Sequence, residues 1–245
     1  MASAGDGVLA ITGNNTEGST DHLDSEEVVH IRGMAQLDRA TGVFFPGSWH
    51  DMDAQDQDFG SSSGVVFSLP GATPSTVMAA VSKNGLFFLL DPANLGGMDG
   101  YLAQIPVSAA FVKSTPGAYR TVMGTYVLFQ GGNAYSLCPA GTSFQPSTAY
   151  SVAVRITPGS PPTAKVAWCN GGNISGFMVT TSDGTKDTIA WLNSGGVLYG
   201  FDGDTGATVV TIQDSVCPEG RAPPIAVKGR IIQPSNGRLC AYLPY

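Results

Sequence analysis

The sequence predicts an all-β fold, and three observations carry that prediction: a composition poor in charge and rich in glycine, short apolar runs punctuated by turn residues, and a loosely repeated unit. Gly supplies 32 of 245 residues and Pro 16, while charged residues make up only 13%, about half the share usual in soluble proteins. The hydrophobic fraction is 42% and is spread evenly, which excludes a disordered chain. Too few residues are Glu, Lys, Arg or Leu for a helical bundle.

The repeat is marked by LDRATG around Asp38, LDPANLGG around Asp91 and FDGDTG around Asp202. Each motif lies between two short apolar runs. Asp38 and Asp91 are 53 residues apart and Asp202 lies a further 111 on, which leaves room for a degenerate copy. That copy is SVAVRITPGSPPTAKVAW, where a Pro/Gly loop replaces the Asp turn. A period near 50 matches propeller repeats. Within 64–108, GVVFSL, TVMAAVS, LFFLLD and YLAQIPV read as four strands joined by PGATPS, KNG and PANLGG. An Asp opening such a turn bonds its own backbone two residues on. The runs are nearly continuous rather than alternating, as expected of sheets buried on both faces. Radially stacked four-stranded antiparallel sheets satisfy this.

The expected fold is therefore a β-propeller of about four to five blades, a whole or partial ring, with residues 1–245 as one domain. The blades are expected near 8–49, 58–108, 118–169, 173–213 and 222–245. The first unit shows no obvious innermost strand and the last no outermost one. Either the two ends pair with each other or another chain covers them, so self-association through blade edges is expected.

Net charge is −7 with a pI near 4.7, and no basic stripe is present, which argues against nucleic-acid binding and docking on anionic membranes. No apolar run approaches a membrane span. The segment MASAGDG has no basic region followed by an apolar core, so no signal peptide is expected. Cys138, Cys169, Cys217 and Cys240 show no zinc spacing. Four cysteines allow three pairings; the nearest-neighbour pairs Cys138–Cys169 and Cys217–Cys240 are expected, with four buried thiols as the alternative. Disulfides would place the protein outside the cytoplasm, secreted or periplasmic.

The segments HDMDAQDQDFGSSSGVVFSLPG, MAAVSKNGLFFLLDPANLGG and VLYGFDGDTGATVV resemble the pyrroloquinoline-quinone-type β-propeller repeat of the quinoprotein alcohol dehydrogenase-like superfamily, which includes polyvinyl-alcohol dehydrogenase-like and outer-membrane assembly propellers. The resemblance runs from about Val8 to Tyr242. It implies the fold, while the same repeat serves enzymes and scaffolds alike. Quinone-dependent members carry an adjacent Cys-Cys pair and a calcium ion, and no such cysteine pair occurs here. Lys83 stands where some relatives place a basic residue near the quinone; otherwise it is a polar hairpin residue.

The densest polar cluster is 49–58, where Asp51, Asp53, Asp56 and Asp58 accompany His50 within nine residues. Alternating oxygen ligands could hold Ca²⁺. The competing reading, which we favour, is a solvated connector between blades in which the Asp58 carboxylate caps backbone N–H groups. Trp49 and His50 would then lie near one mouth of the ring, as candidate ligand contacts. His22, His30 and His50 are too scattered for a metal triad, and His30 reads as a strand residue. Ser61, Ser62 and Ser63 have no placed base, and no nucleophile elbow or P-loop is present. Trp49, Trp168 and Trp191 read as packing residues between blades more than as sugar platforms. Sequons stand at Asn14 and Asn173. The expected function is a non-catalytic extracytoplasmic module binding a protein or carbohydrate at the ring mouth. The alternative is a dehydrogenase using pyrroloquinoline quinone and Ca²⁺, with Lys83 near the quinone.

Overall fold

The computed structural model describes residues 1–3, 5, 7–15, 21–133, 135–140, 150–171, 176–217, 222–235 and 237–243. They form five sheets, following one another along the chain. The first blade has Ala2–Ser3, Gly7–Ile11, Val28–Arg32 and Val43–Phe45 in antiparallel order. Gln36–Leu37 pairs beside Val28–Arg32, and Gly97–Met98, from a turn of the second blade, adds in parallel to Val43–Phe45. The second blade is Val65–Ser68, Thr76–Val81, Leu86–Leu90 and Ala103–Pro106. The third is Gly117–Thr121, Gly124–Gly131, Tyr150–Thr157 and Thr163–Gly171. The fourth is Phe177–Thr180, Ile189–Ser194, Val197–Asp202 and Thr208–Gln213. The fifth has three strands, Ile225–Val227, Arg230–Ser235 and Arg238–Tyr242.

The near-continuous apolar strands now have a physical cause. Side chains alternate between the faces of a strand, and each face of a middle blade packs into a different seam. In Thr76–Val81, Val77, Ala79 and Val81 join the core shared with the third blade, while Met78 and Ala80 join the core shared with the first. In Leu86–Leu90 the sets are Phe87 and Leu89 against Phe88 and Leu90. Phe88 lies 5.3 Å from Phe44 and Phe87 lies 6.4 Å from Phe129 between ring centroids. Burying such a side chain contributes about 1.5–3 kcal/mol. Trp168 packs with Tyr119 and Phe201 between the third and fourth blades, and Trp191 with Leu198 and Ile231 between the fourth and fifth. Both tryptophans are buried, as their packing role requires.

The repeated Asp turns occupy one place in the blade, between its third and fourth strands. Asp38 accepts from the Ala40 N–H at 2.9 Å and Asp91 from the Ala93 N–H at 2.9 Å. Asp202 accepts from the N–H groups of Asp204 and Thr205 at 3.1 and 2.9 Å. The turn closes on Gly206, whose φ is +70° and where a Cβ would meet the Trp168 ring at 2.5 Å. In the third blade the loop 158–162 replaces this turn, and the hairpin it joins pairs over eight positions.

The cysteines form Cys138–Cys169 and Cys217–Cys240, with Cα separations of 5.8 and 6.3 Å. The first bridge ties the fourth strand of the third blade to the segment before its third strand. The second ties the third strand of the fifth blade to the segment leaving the fourth.

One expectation about the ends needs correction, and of the two alternatives for the edges one falls. The first blade does possess a first strand, Ala2–Ser3. At two residues with no apolar run it leaves no periodic signal in the sequence. The ends do not pair with each other: among the described residues no ladder joins the first sheet to the fifth. Among the described residues the fifth sheet has three strands.

Candidate binding face between the first two blades

The acidic segment folds as a short helix rather than an open connector. Pro46, Gly47 and Ser48 turn the chain, and Trp49–Ala54 is α-helical. Met52 and Phe59 anchor the segment, both buried in the first seam. Between them Asp56 takes a left-handed φ of +53°.

This geometry disperses the four candidate calcium ligands. Asp51 is exposed, on the first turn of the helix, and His50 beside it is exposed too. Asp53 accepts from the Ser25 hydroxyl at 3.0 Å and the Asn15 N–H at 3.4 Å. Asp56 and Asp58 turn to Lys83, whose Nζ lies 2.9 and 3.0 Å from their Oδ2 atoms. The Asp58 carboxylate makes no cap to the backbone of the following turn, contrary to the sequence reading. A lysine within reach offers a charge-assisted bond that the N–H groups of a turn cannot match. Among the described residues no group of three or more acidic, His or Cys side chains is arranged to hold a metal ion.

Lys83 sits in the tight turn that joins Thr76–Val81 to Leu86–Leu90. The turn needs Gly85, whose φ is +83° and where a Cβ would collide with the Ser108 carbonyl. The Lys83 side chain is 7% exposed. Its backbone N–H donates to the Asp58 carbonyl at 3.1 Å, and its own carbonyl accepts from Val112 at 3.2 Å. Its Nζ also lies 5.2 Å from the centre of the Phe111 ring. Burial pulls the ammonium pKa down, but the bonds and charges of Asp56 and Asp58 together outweigh it and hold it above its ordinary value. Lys83 therefore stitches three segments together, and its charge is already neutralised.

Sequence reasoning passed over the most unusual side chains of this region, Glu26 and Glu27. Both are buried. Glu26, with φ +49°, accepts the Phe59 N–H through Oε2. With its amide nitrogen turned toward them, Asn14 donates to Asp58 Oδ1 at 2.5 Å and Glu26 Oε1 at 2.7 Å. Burial pushes the Glu26 pKa up to about 7; the Phe59 N–H opposes this, and Asp53 and Asp58 add to it. Among the described residues neither carboxylate oxygen of Glu27 has a hydrogen-bond partner. Its pKa is likewise raised to about 7, first by burial, then by Asp24, with Arg39 opposing. The available signal was the pair of glutamates in DSEEVVH immediately before an apolar strand.

Trp49 is half-buried rather than displayed. Its ring meets His22 edge-on at 5.0 Å, and His22 lies 4.1 Å from Phe45. Burial lowers the His22 pKa, and the Ser25 backbone and the carboxylates of Asp24 and Asp53 partly restore it. The sequon at Asn173 falls outside the described residues, as does Thr16 of the sequon at Asn14.

The blades define a β-propeller-like fold. Solved structures place it among propellers: BamB from Moraxella catarrhalis, at 12% identity and a TM-score of 0.56, matches 98% of this chain and 59% of its own. The β-propeller domain of Cps50 (Swd1) from Myceliophteria thermophila, at 9% identity and a TM-score of 0.50, matches 88% of this chain and 65% of its own. At such identities the likeness shows the fold alone, and the chain spans less than two thirds of either structure. No family model and no curated protein matches the chain.

Proposed function

We propose that the protein is a non-catalytic binding propeller of an oxidising compartment, secreted or periplasmic, and that it associates through its fifth blade. The observation that carries this reading is the state of that blade. Among the described residues it has three strands, and the second, third and fourth blades have four. Pairing register puts Ile225, Val227, Ile232 and Leu239 on the face turned away from Ile231 and the fourth blade. Ile225, Val227 and Leu239 are 51, 44 and 71% exposed. An exposed apolar face of this kind is a surface for a partner chain. Both disulfides support an oxidising location.

The quinone- and calcium-dependent alternative finds little support in the residues present. Asp56 and Asp58 are committed to Lys83, Asp53 to Ser25 and Asn15, and all four cysteines to disulfides. Sedimentation across a hundredfold range of concentration tests the proposal. The expected result is reversible self-association, abolished by Leu239→Lys, which blunts an edge with charge. A monomer at every concentration would overturn association through this blade.

A further inference from the structure

Each blade has a trailing face, which packs on the blade before it, and a leading face, which packs on the blade after it. Among the described residues the four apolar cores lie between successive blades, and none joins the first to the fifth. The trailing face of the first blade and the leading face of the fifth are therefore left over. On the first blade, Val8 pairs with Ile31 and Ala10 with Val29. They lie on the side opposite Leu9 and Val28, which enter the seam with the second blade. Leu37 pairs with Ile31 and extends the row. Val8 and Ile31 are 39 and 36% exposed. On the fifth blade, Val227 pairs with Arg230, so an exposed arginine shares the open face with Ile225, Val227 and Leu239. Lys228, exposed too, sits in the turn between the paired strands.

Charge divides in the same way. Residues 1–60 hold 11 of the 19 acidic residues and 2 of the 12 basic ones. Residues 215–245 hold four basic residues and one acidic. Arg39 bridges Asp24, Arg32 reaches Asp38, and Lys83 takes Asp56 and Asp58, which still leaves carboxylates in surplus at the first end. Asp24 and Asp38 are half-exposed on either side of Val28–Arg32 in the chain. Two first blades set face to face would bring acidic surface to acidic surface. Two fifth blades would bring Arg230 to Arg230. Only unlike faces bring opposite charges together, and like-charge contacts are what suppress a wrong partner.

We infer that copies of this chain join head to tail, the leading face of the fifth blade of one against the trailing face of the first blade of the next. The inference rests on the association proposed above and adds its partner surface. A trailing face and a leading face are the two halves of the joint that the chain already makes between its own blades. Such a contact is heterologous, so it closes a ring or runs on as a filament according to the rotation between copies.

Sedimentation of paired variants separates this contact from a symmetric one between two fifth blades. Leu239→Lys blocks the leading face, and Ile31→Lys or, independently, Val8→Lys blocks the trailing face. Each alone should weaken self-association at least tenfold. An equimolar mixture of Leu239→Lys with either trailing-face variant should form a dimer and stop there, since each chain supplies the face that the other lacks. That dimer also shows that both variants fold. Raising NaCl from about 0.05 M to about 0.5 M should weaken association of the unaltered chain at least tenfold, because salt screens opposed surface charges. Ile31→Lys and Val8→Lys associating as strongly as the unaltered chain would overturn the head-to-tail contact and leave association through the fifth blade standing. So would mixtures that stay monomeric while the melting temperatures of the variants are unchanged, or association indifferent to salt. An unaltered chain that is monomeric throughout would overturn both readings.

Discussion

The first and fifth blades are built from the same kind of strand and end in opposite conditions. The first carries six strands, because Gln36–Leu37 and Gly97–Met98 pair onto its flanks. Its seam buries Leu9, Val28, Phe44, Met52 and Phe59 against the second blade. The fifth has three strands, and the buried residues of its seam are Trp191, Leu198 and Ile231. The difference sets strand pairing against burial, and burial is the larger source of stability. The fifth blade is therefore expected to be the weaker one, because few of its residues are buried.

The sharpest way to break the comparison is to remove core from each end. Phe44→Ala should cost about 3–5 kcal/mol in global stability. Ile231→Ala should cost less, about 2 kcal/mol, since its seam has fewer buried neighbours to leave stranded. Equal losses in denaturant melts would erase the distinction.

Next in size is the bridge that holds the fifth blade. Cys217 and Cys240 enclose a separation of 23 residues, so replacing both with Ser should cost about 2–4 kcal/mol. The effect should be local. Amide exchange should accelerate in 225–242 and stay unchanged in 28–45. Uniform acceleration would mean that the fifth blade is not a separate weak unit.

The acidic residues sharpen the first blade's side. Glu26 and Glu27 have folded pKa values of about 7 against an ordinary 4.5. The folded state therefore holds more protons between those values, and stability falls as pH rises through that window. Below pH 4.5 both states are protonated and the pair contributes no slope. The expected loss from pH 5 to 8 is on the order of 1–3 kcal/mol per group, since one pKa unit is about 1.4 kcal/mol. Glu27→Gln should flatten the curve and raise the melting temperature at pH 8. An unchanged curve would mean that Glu27 ionises freely in the folded state.

Smallest is the effect of Leu239→Lys on the isolated chain, within about 0.5 kcal/mol because the side chain is already exposed. A larger loss would show that this face is covered within the single chain.

The fold was legible because its signals are local and repeated. Asp38, Asp91 and Asp202 cap their own turns, and the strands between them carry apolar residues on both faces. The disulfide pairs followed from neighbourhood along the chain. The candidate site was less legible. The acidic run 51–58 reads as one cluster in sequence, but only Asp51 and Asp53 lie on the helix, and Asp56 and Asp58 follow beyond its end. Lys83, 25 residues beyond Asp58, captures two of them. Glu26 and Glu27 border an apolar strand in the sequence, but a partner such as Phe59, which donates to Glu26, is remote along the chain. The strand VVHIRG was legible in part, but only the second blade shows which of its faces is inward.

The placement of the three tryptophans has an optical consequence. Trp168 and Trp191 occupy the two seams of the C-terminal half, and Trp49 sits beside His22 on the helix preceding the second blade. No tryptophan lies in the second blade or in the seam it shares with the third. Emission on excitation of the indoles will follow the loosening of the C-terminal arc and the packing around the helix. The most apolar junction of the molecule will be dark, so a fluorescence melt and a calorimetric melt need not coincide, and the gap between them would measure how independently the two halves come apart.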